Sequence, residues 1–144
     1  MIRVVLDTNV IVSAYLNDDG LPFAILKLSL ARVVRMCVSS DVLAEYAELL
    51  ARKSYPMDRR RARLLLQKIK SSAEVVRPVR GLDVTSDPDD NIFLECAEAA
   101  KADYVITGNM AHFPTRWKYT QVITPRAFIN IWKDLRPGGD EGHL

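Results

Sequence analysis

The residues best suited to chemistry in this 144-residue chain are carboxylates at the ends of apolar runs. Asp7 closes the run Val4-Val5-Leu6 and is followed by Thr8 and Asn9. Such a run, β-rich and apolar throughout, is the mark of a parallel strand buried on both faces. In an open α/β sheet the carboxyl ends of the strands border the crevice where ligands bind. Packing alone gives little reason to place a charge there. Two readings stand for Asp7. It can cap a helix that starts near Val10, or it can aim its carboxylate at a cation or a water.

Three further groups share this ambiguity. If a helix starts at Asp41, with about 100° per residue, Val42, Leu43, Tyr46, Leu49 and Leu50 gather on one face. Glu45 lies at the margin of that stripe and Glu48 well off it. Glu45 can be a snorkelling surface residue or can reach a crevice shared with the strand ends. Asp87, Asp89 and Asp90 fall within four residues. A first helical turn favours such acids by about 0.3–1 kcal/mol each, and Asp87 is expected to cap. Three acids exceed what capping needs, so Asp90 is taken as the functional one and Asp89 is unassigned. Thr107-Gly108-Asn109 follows the apolar run from Tyr104. It can be a plain turn, or it can bring polar oxygens to the same sheet edge as Asp7.

Hard oxygen donors are what Mg²⁺ and Mn²⁺ prefer, commonly one or two carboxylates with waters and phosphate. Carboxylates gathered without a cation repel one another and their pKa values rise. A bound divalent ion removes that penalty, activates a water and polarises a phosphoryl oxygen. An acidic crevice of this kind suits phosphodiester hydrolysis.

Five stretches read as strands: 2–6, 35–39, 74–77, 103–107 and 120–123. Helical patterns cover about 10–16, 22–33, 41–53, 58–72, 88–101 and 125–135. Strands alternating with helices imply βαβ units and a mainly parallel sheet. The length suits a single domain, here 1–136. Pro137-Gly138-Gly139 opens a polar tail, 137–144, that is expected to fray.

Four pieces occur in one order: Val5-Leu6-Asp7-Thr8-Asn9-Val10, Ser40-Asp41-Val42-Leu43-Ala44-Glu45, Asp87-Pro88-Asp89-Asp90-Asn91, and Ala102-Asp103-Tyr104-Val105-Ile106-Thr107-Gly108-Asn109. With these the chain resembles the PIN-domain ribonucleases, in particular bacterial and archaeal toxins of toxin–antitoxin pairs, over roughly residues 2–132. The resemblance implies a three-layer α/β/α Rossmann-like domain with a mainly parallel sheet. It implies a Mg²⁺- or Mn²⁺-dependent endoribonuclease acting on single-stranded RNA. By matching position it makes Asp7, Glu45 and Asp90 the catalytic, metal-holding acids, with Thr8 and Thr107 as supporting hydroxyls and Asn9 orienting Asp7. Many members have Asp where this chain has Asn109. An amide oxygen can ligate a hard cation but brings no charge, which bears on whether one metal or two is held. The family also implies homodimers and, for toxins, an antitoxin encoded nearby.

An alternative reading keeps the fold and drops the chemistry: a catalytically weak module that binds RNA or a protein partner, favoured by Asn109. An aspartyl phosphatase would carry a second Asp two residues after the first, where Asn9 stands.

Composition is ordinary for a globular chain, 49% hydrophobic and 26% charged, with a net charge of +2. The charge is polarised. Residues 52–80 hold ten Lys or Arg and two acids, a net +8; residues 81–103 hold seven acids and one Lys, a net −6. Arg59, Arg60, Arg61 and Arg63 can hold RNA phosphates, face an acidic antitoxin, or form the solvated side of a helix that buries Leu64, Leu65 and Ile69. Cys37 and Cys96 lack metal-ligand spacing and are expected as buried free thiols. Neither a signal-peptide pattern nor an apolar run of ~18 residues is present, so a cytoplasmic protein without membrane contact is expected. His112 and His143 have no partner legible in the sequence, and neither is read as a general base.

Overall fold

The computed structural model describes residues 1–54, 58–79, 85 and 87–135, so the expected polar tail lies outside the described residues. Strand β1 (Arg3–Leu6) is central because Val4, Val5 and Leu6 are apolar and fully buried. It pairs in parallel with β2 (Arg35–Val38) on one side and β4 (Tyr104–Ile106) on the other. Outside these lie β3 (Glu74–Val75), β6 (Thr120–Ile123) and the edge strand β5 (Arg116–Trp117), in the order β3-β2-β1-β4-β6-β5. Among the described residues only β5 and β6 pair antiparallel. The chain leaves β1 toward β2 and later returns to β4 on the other side. That reversal opens a crevice at the carboxyl ends of β1 and β4.

Six α-helices are present among the described residues: α1 (Thr8–Leu16), α2 (Leu21–Leu30), α3 (Ser40–Ser54), α4 (Arg59–Ser72), α5 (Pro88–Ala100) and α6 (Pro125–Leu135). Helix α5 packs on β1, β2 and β4 and touches α3; α1 packs on α2 and α3, α3 on α4, and α2 on α6. This is the expected single α/β domain with a mostly parallel sheet. No helix among the described residues is long and apolar enough to cross a membrane. Cys37 and Cys96 are free and buried, and burial pushes their thiols up to about 11 and about 12.

Several boundaries differ from expectation for local reasons. Helix α1 starts at Thr8 rather than 10, because Asp7 caps it: its Oδ1 accepts from Thr8 N at 2.7 Å. Helix α2 stops at Leu30 rather than 33, since the backbone turns back with Arg32 at φ 61°. The two-residue strand β5 and a single 3₁₀ turn, Met110–His112, were not anticipated.

The amino-terminal edge of the sheet is cross-linked by charge. Arg3 donates from Nη1 and Nη2 to the Glu74 carboxylate at 3.0 and 2.8 Å, and from Nε to the Ala100 carbonyl at 2.9 Å. Its backbone N–H donates to Asp103 Oδ2 at 2.8 Å. Strands β1 and β3 are tied across β2 by this one side chain. The Arg3 partnership holds the Glu74 carboxyl below its ordinary range.

Candidate active site

Asp7 sits one residue past β1, where the ladder to β4 continues: its N–H donates to the Ile106 carbonyl at 3.0 Å. The residue is only 6% exposed, and both oxygens have protein partners. Oδ1 accepts from Thr8 N, and Oδ2 accepts from the Thr107 hydroxyl at 2.7 Å. Thr107 is one residue past β4 and is itself fixed: its N–H donates to the Ile123 carbonyl at 3.0 Å, and its Oγ1 accepts from Asn109 N at 2.9 Å. The carboxylate is therefore aimed by two strands, and its orientation does not depend on a mobile side chain. Burial outweighs these donors and pushes the Asp7 carboxyl above its ordinary value.

Helix α3 brings Glu45 toward the same edge. Val42, Tyr46 and Leu50 form its fully buried stripe, Glu45 is half-buried at the margin, and Glu48 is exposed, as the helical spacing indicates. The Glu45 carboxyl is pushed up, first by burial and then by Asp89, Glu48 and Asp7, with Arg52 opposing. Tyr46 was not singled out from sequence. It is fully buried, and its hydroxyl donates to the Leu6 carbonyl, holding the backbone immediately before Asp7.

Helix α5 supplies Asp90. Asp87 caps the helix, accepting from Asp89 N at 2.9 Å, so its expected capping role holds. Asp90, in the first turn, is raised by burial and then by Asp87 and Asp7. Its Oδ2 lies 3.6 Å from His112 Nδ1. The sequence offered His112 no partner. The structure corrects this, because the 3₁₀ turn after β4 carries the ring to α5.

The structure thus places Asp7, Glu45 and Asp90 in one electrostatic neighbourhood, with Asp7 as the group both others feel. As placed, no three His, Cys, Asp or Glu among the described residues enclose a metal-sized position. The donor chemistry nevertheless fits a hard divalent cation. All three carboxylates are raised by burial, and Glu45 and Asp90 by neighbouring acids as well, which is the condition a cation relieves. Beside Asp7, the Thr8 hydroxyl is buried without a hydrogen-bond partner among the described residues. Such orphaned groups are rare in folded proteins, and a bound ion or water accounts for them.

The supporting polar residues divide. Asn9 Oδ1 accepts from Gly108 N at 3.3 Å, tying the loop after β1 to the loop after β4. Asn109 is exposed, caps the 3₁₀ turn without a side-chain bond, and lines a separate cleft with Asn9, Ser13 and Pro125.

The four arginines divide as well. Arg59, Arg60 and Arg63 lie on the exposed side of α4. Arg61 does not project as a free cation: its Nη2 donates to the Tyr15 carbonyl at 2.7 Å and its guanidinium stacks 4.2 Å from the Tyr15 ring. One of its donors and one face of the guanidinium are thus engaged by Tyr15 of α1.

Two comparisons bear on this arrangement. An uncharacterized protein of Methanocaldococcus jannaschii is 33% identical over 140 residues, covering 89% of this chain and 90% of its own. The family model for the PIN domain matches residues 3–111, a span that includes Asp7, Glu45, Asp90 and Thr107. The chain belongs to the PIN-domain family, whose members are typically metal-dependent nucleases.

Proposed function

We propose that this protein is a divalent-metal-dependent endoribonuclease that cleaves single-stranded RNA as the toxin of a toxin–antitoxin pair. The observation that carries the proposal is the buried Asp7 carboxylate, held at the reversal point of the sheet by Thr107 and Thr8 and coupled to Glu45 and Asp90. Asp7 and Asp90 would hold Mg²⁺ or Mn²⁺, with Glu45 contributing directly or through a water. The cation supplies an activated water and charge stabilisation at the phosphoryl group. Thr107 fixes the direction of Asp7, Tyr46 fixes its backbone, and Thr8 presents its unpaired hydroxyl beside them.

Charge supports the substrate assignment. The exposed arginines of α4 provide phosphate contacts for RNA, or a basic face for an acidic antitoxin to cover. A cytoplasmic homodimer is the expected setting. Co-purification with a short DNA-binding protein encoded beside this one would support the toxin role.

The direct test is Asp7→Asn. Loss of a metal ligand exceeds the 10–100-fold typical of losing a supporting partner, so cleavage should fall by at least about 100-fold with the circular dichroism spectrum unchanged. Normal Mg²⁺-dependent cleavage by a folded Asp7→Asn protein would overturn the proposal.

A second reading is a PIN module that binds RNA or a protein with weak catalysis. Neutral Asn109 and the spacing of the acids as placed favour it. Calorimetry with Mn²⁺ separates the two: no binding at millimolar metal, with RNA still retained, selects the module.

A further inference from the structure

A cleft of about 520 Å³ lies beside Asp90, walled by Thr85 and Asp87 on one side and by Ala111, His112, Phe113 and Pro114 on the other. Its first wall is internally fixed: Thr85 Oγ1 donates to the Asp87 carbonyl at 2.7 Å, and Thr85 N donates to Asn91 Oδ1 at 2.8 Å. Its second wall is the 3₁₀ turn that follows β4. Across the cleft His112 Nδ1 lies 3.6 Å from Asp90 Oδ2, yet the His112 side chain remains 57% exposed. One edge of the ring is steadied while part of its surface stays available.

We propose that this cleft is the subsite for one nucleoside of the RNA strand, next to the scissile phosphate, and that His112 is the residue on which its base stacks. The assignment rests on the nuclease reading of Asp7, Glu45 and Asp90. Charge decides which part of a nucleotide enters. Asp87 and Asp90 repel a phosphate, so the phosphate stays on the cation side and the neutral sugar and base take the cleft. Size agrees, since small-molecule sites run from about 300 to 1,000 Å³. So does chemistry: an imidazole ring beside Ala111 and Pro114 offers a flat, partly apolar surface. Single-stranded RNA is bound largely by stacking of splayed bases on aromatic side chains, histidine included. Stacking needs the ring and not its charge.

The test uses His112→Ala and His112→Phe in the full chain. Binding of a fluorescent single-stranded RNA oligonucleotide is read by anisotropy in Ca²⁺, and cleavage by steady-state kinetics in Mn²⁺. His112→Ala should raise Kd and KM by about tenfold. His112→Phe should restore both constants. The subsite is overturned if His112→Ala leaves Kd and KM unchanged, or if His112→Phe binds as weakly as His112→Ala. Parent protein that binds but never cleaves removes the nuclease reading and leaves the subsite to be judged on Kd. A His112→Ala protein with normal Kd and lost kcat does the reverse.

Discussion

The two ends of one sheet treat charge in opposite ways. At the amino-terminal edge every charge described above has an opposite partner or a donor: Arg3 grips Glu74 through two bonds, and Asp103 accepts from the Arg3 backbone. Glu74 is held below its ordinary range as a result. At the carboxyl-terminal edge Asp7, Glu45 and Asp90 are all pushed above theirs by burial, and Glu45 and Asp90 further by other acids. The first arrangement is what a fold does to secure itself. The second raises the free energy of the folded chain, and such perturbed groups cluster where chemistry is done.

The largest expected effect on this contrast comes from Thr107→Val. Valine keeps the shape and removes the bond to Asp7 Oδ2. Mn²⁺ affinity or cleavage should fall by about 10–100-fold with the fold intact. Unchanged metal binding would show that Asp7 needs no such support.

Next is Asp90→Asn. A carboxyl raised in the folded state binds protons more tightly there than when unfolded. Its charge therefore destabilises the folded chain at neutral pH, and the penalty disappears as pH falls through the raised folded value toward the ordinary 3.8. Without metal, Asp90→Asn should melt higher than the parent at pH 7 and equal it near the unfolded value. The same substitution should remove the rise in Tm that saturating Mn²⁺ gives the parent. A lower Tm at pH 7 would contradict the proposed repulsion.

The smallest effect belongs to the opposite edge. Glu74→Gln should cost about 1 kcal/mol in urea denaturation and leave Mn²⁺ binding untouched. Here the sign is reversed. Stability from a lowered carboxyl is present above the ordinary 4.5 and is lost as pH falls through the lower folded value. The gap between parent and variant should therefore close in that acidic window. A change in metal binding would mean the two edges are not independent.

Much of this architecture is legible in the chain. Val4-Val5-Leu6 reads as a buried strand, and the stripe of α3 follows from residue spacing. Asp7 and Thr107 come to one edge because parallel strands carry both their ends there. The resemblance to PIN domains rests on the same residues. What the sequence leaves hidden depends on distance across the fold. The bond from Tyr46 to Leu6 spans forty residues, and nothing around Tyr46 distinguishes a hydroxyl with a target from a core ring. His112 meets Asp90 only because a 3₁₀ turn too short to show a period redirects the chain. Arg61 looks like its neighbours until α4 is packed on α3 and α2 and one of the arginines meets Tyr15.

The two buried thiols give the molecule a built-in alarm for opening. With pKa values near about 11 and about 12, the thiolate fraction at pH 7 is roughly one in ten thousand or less. Cys37 lies on β2, and Cys96 on the buried side of α5 that packs against that strand. Alkylating reagents and peroxide should leave the closed domain alone. Modification of either sulfur would report that the helix has come away from the sheet.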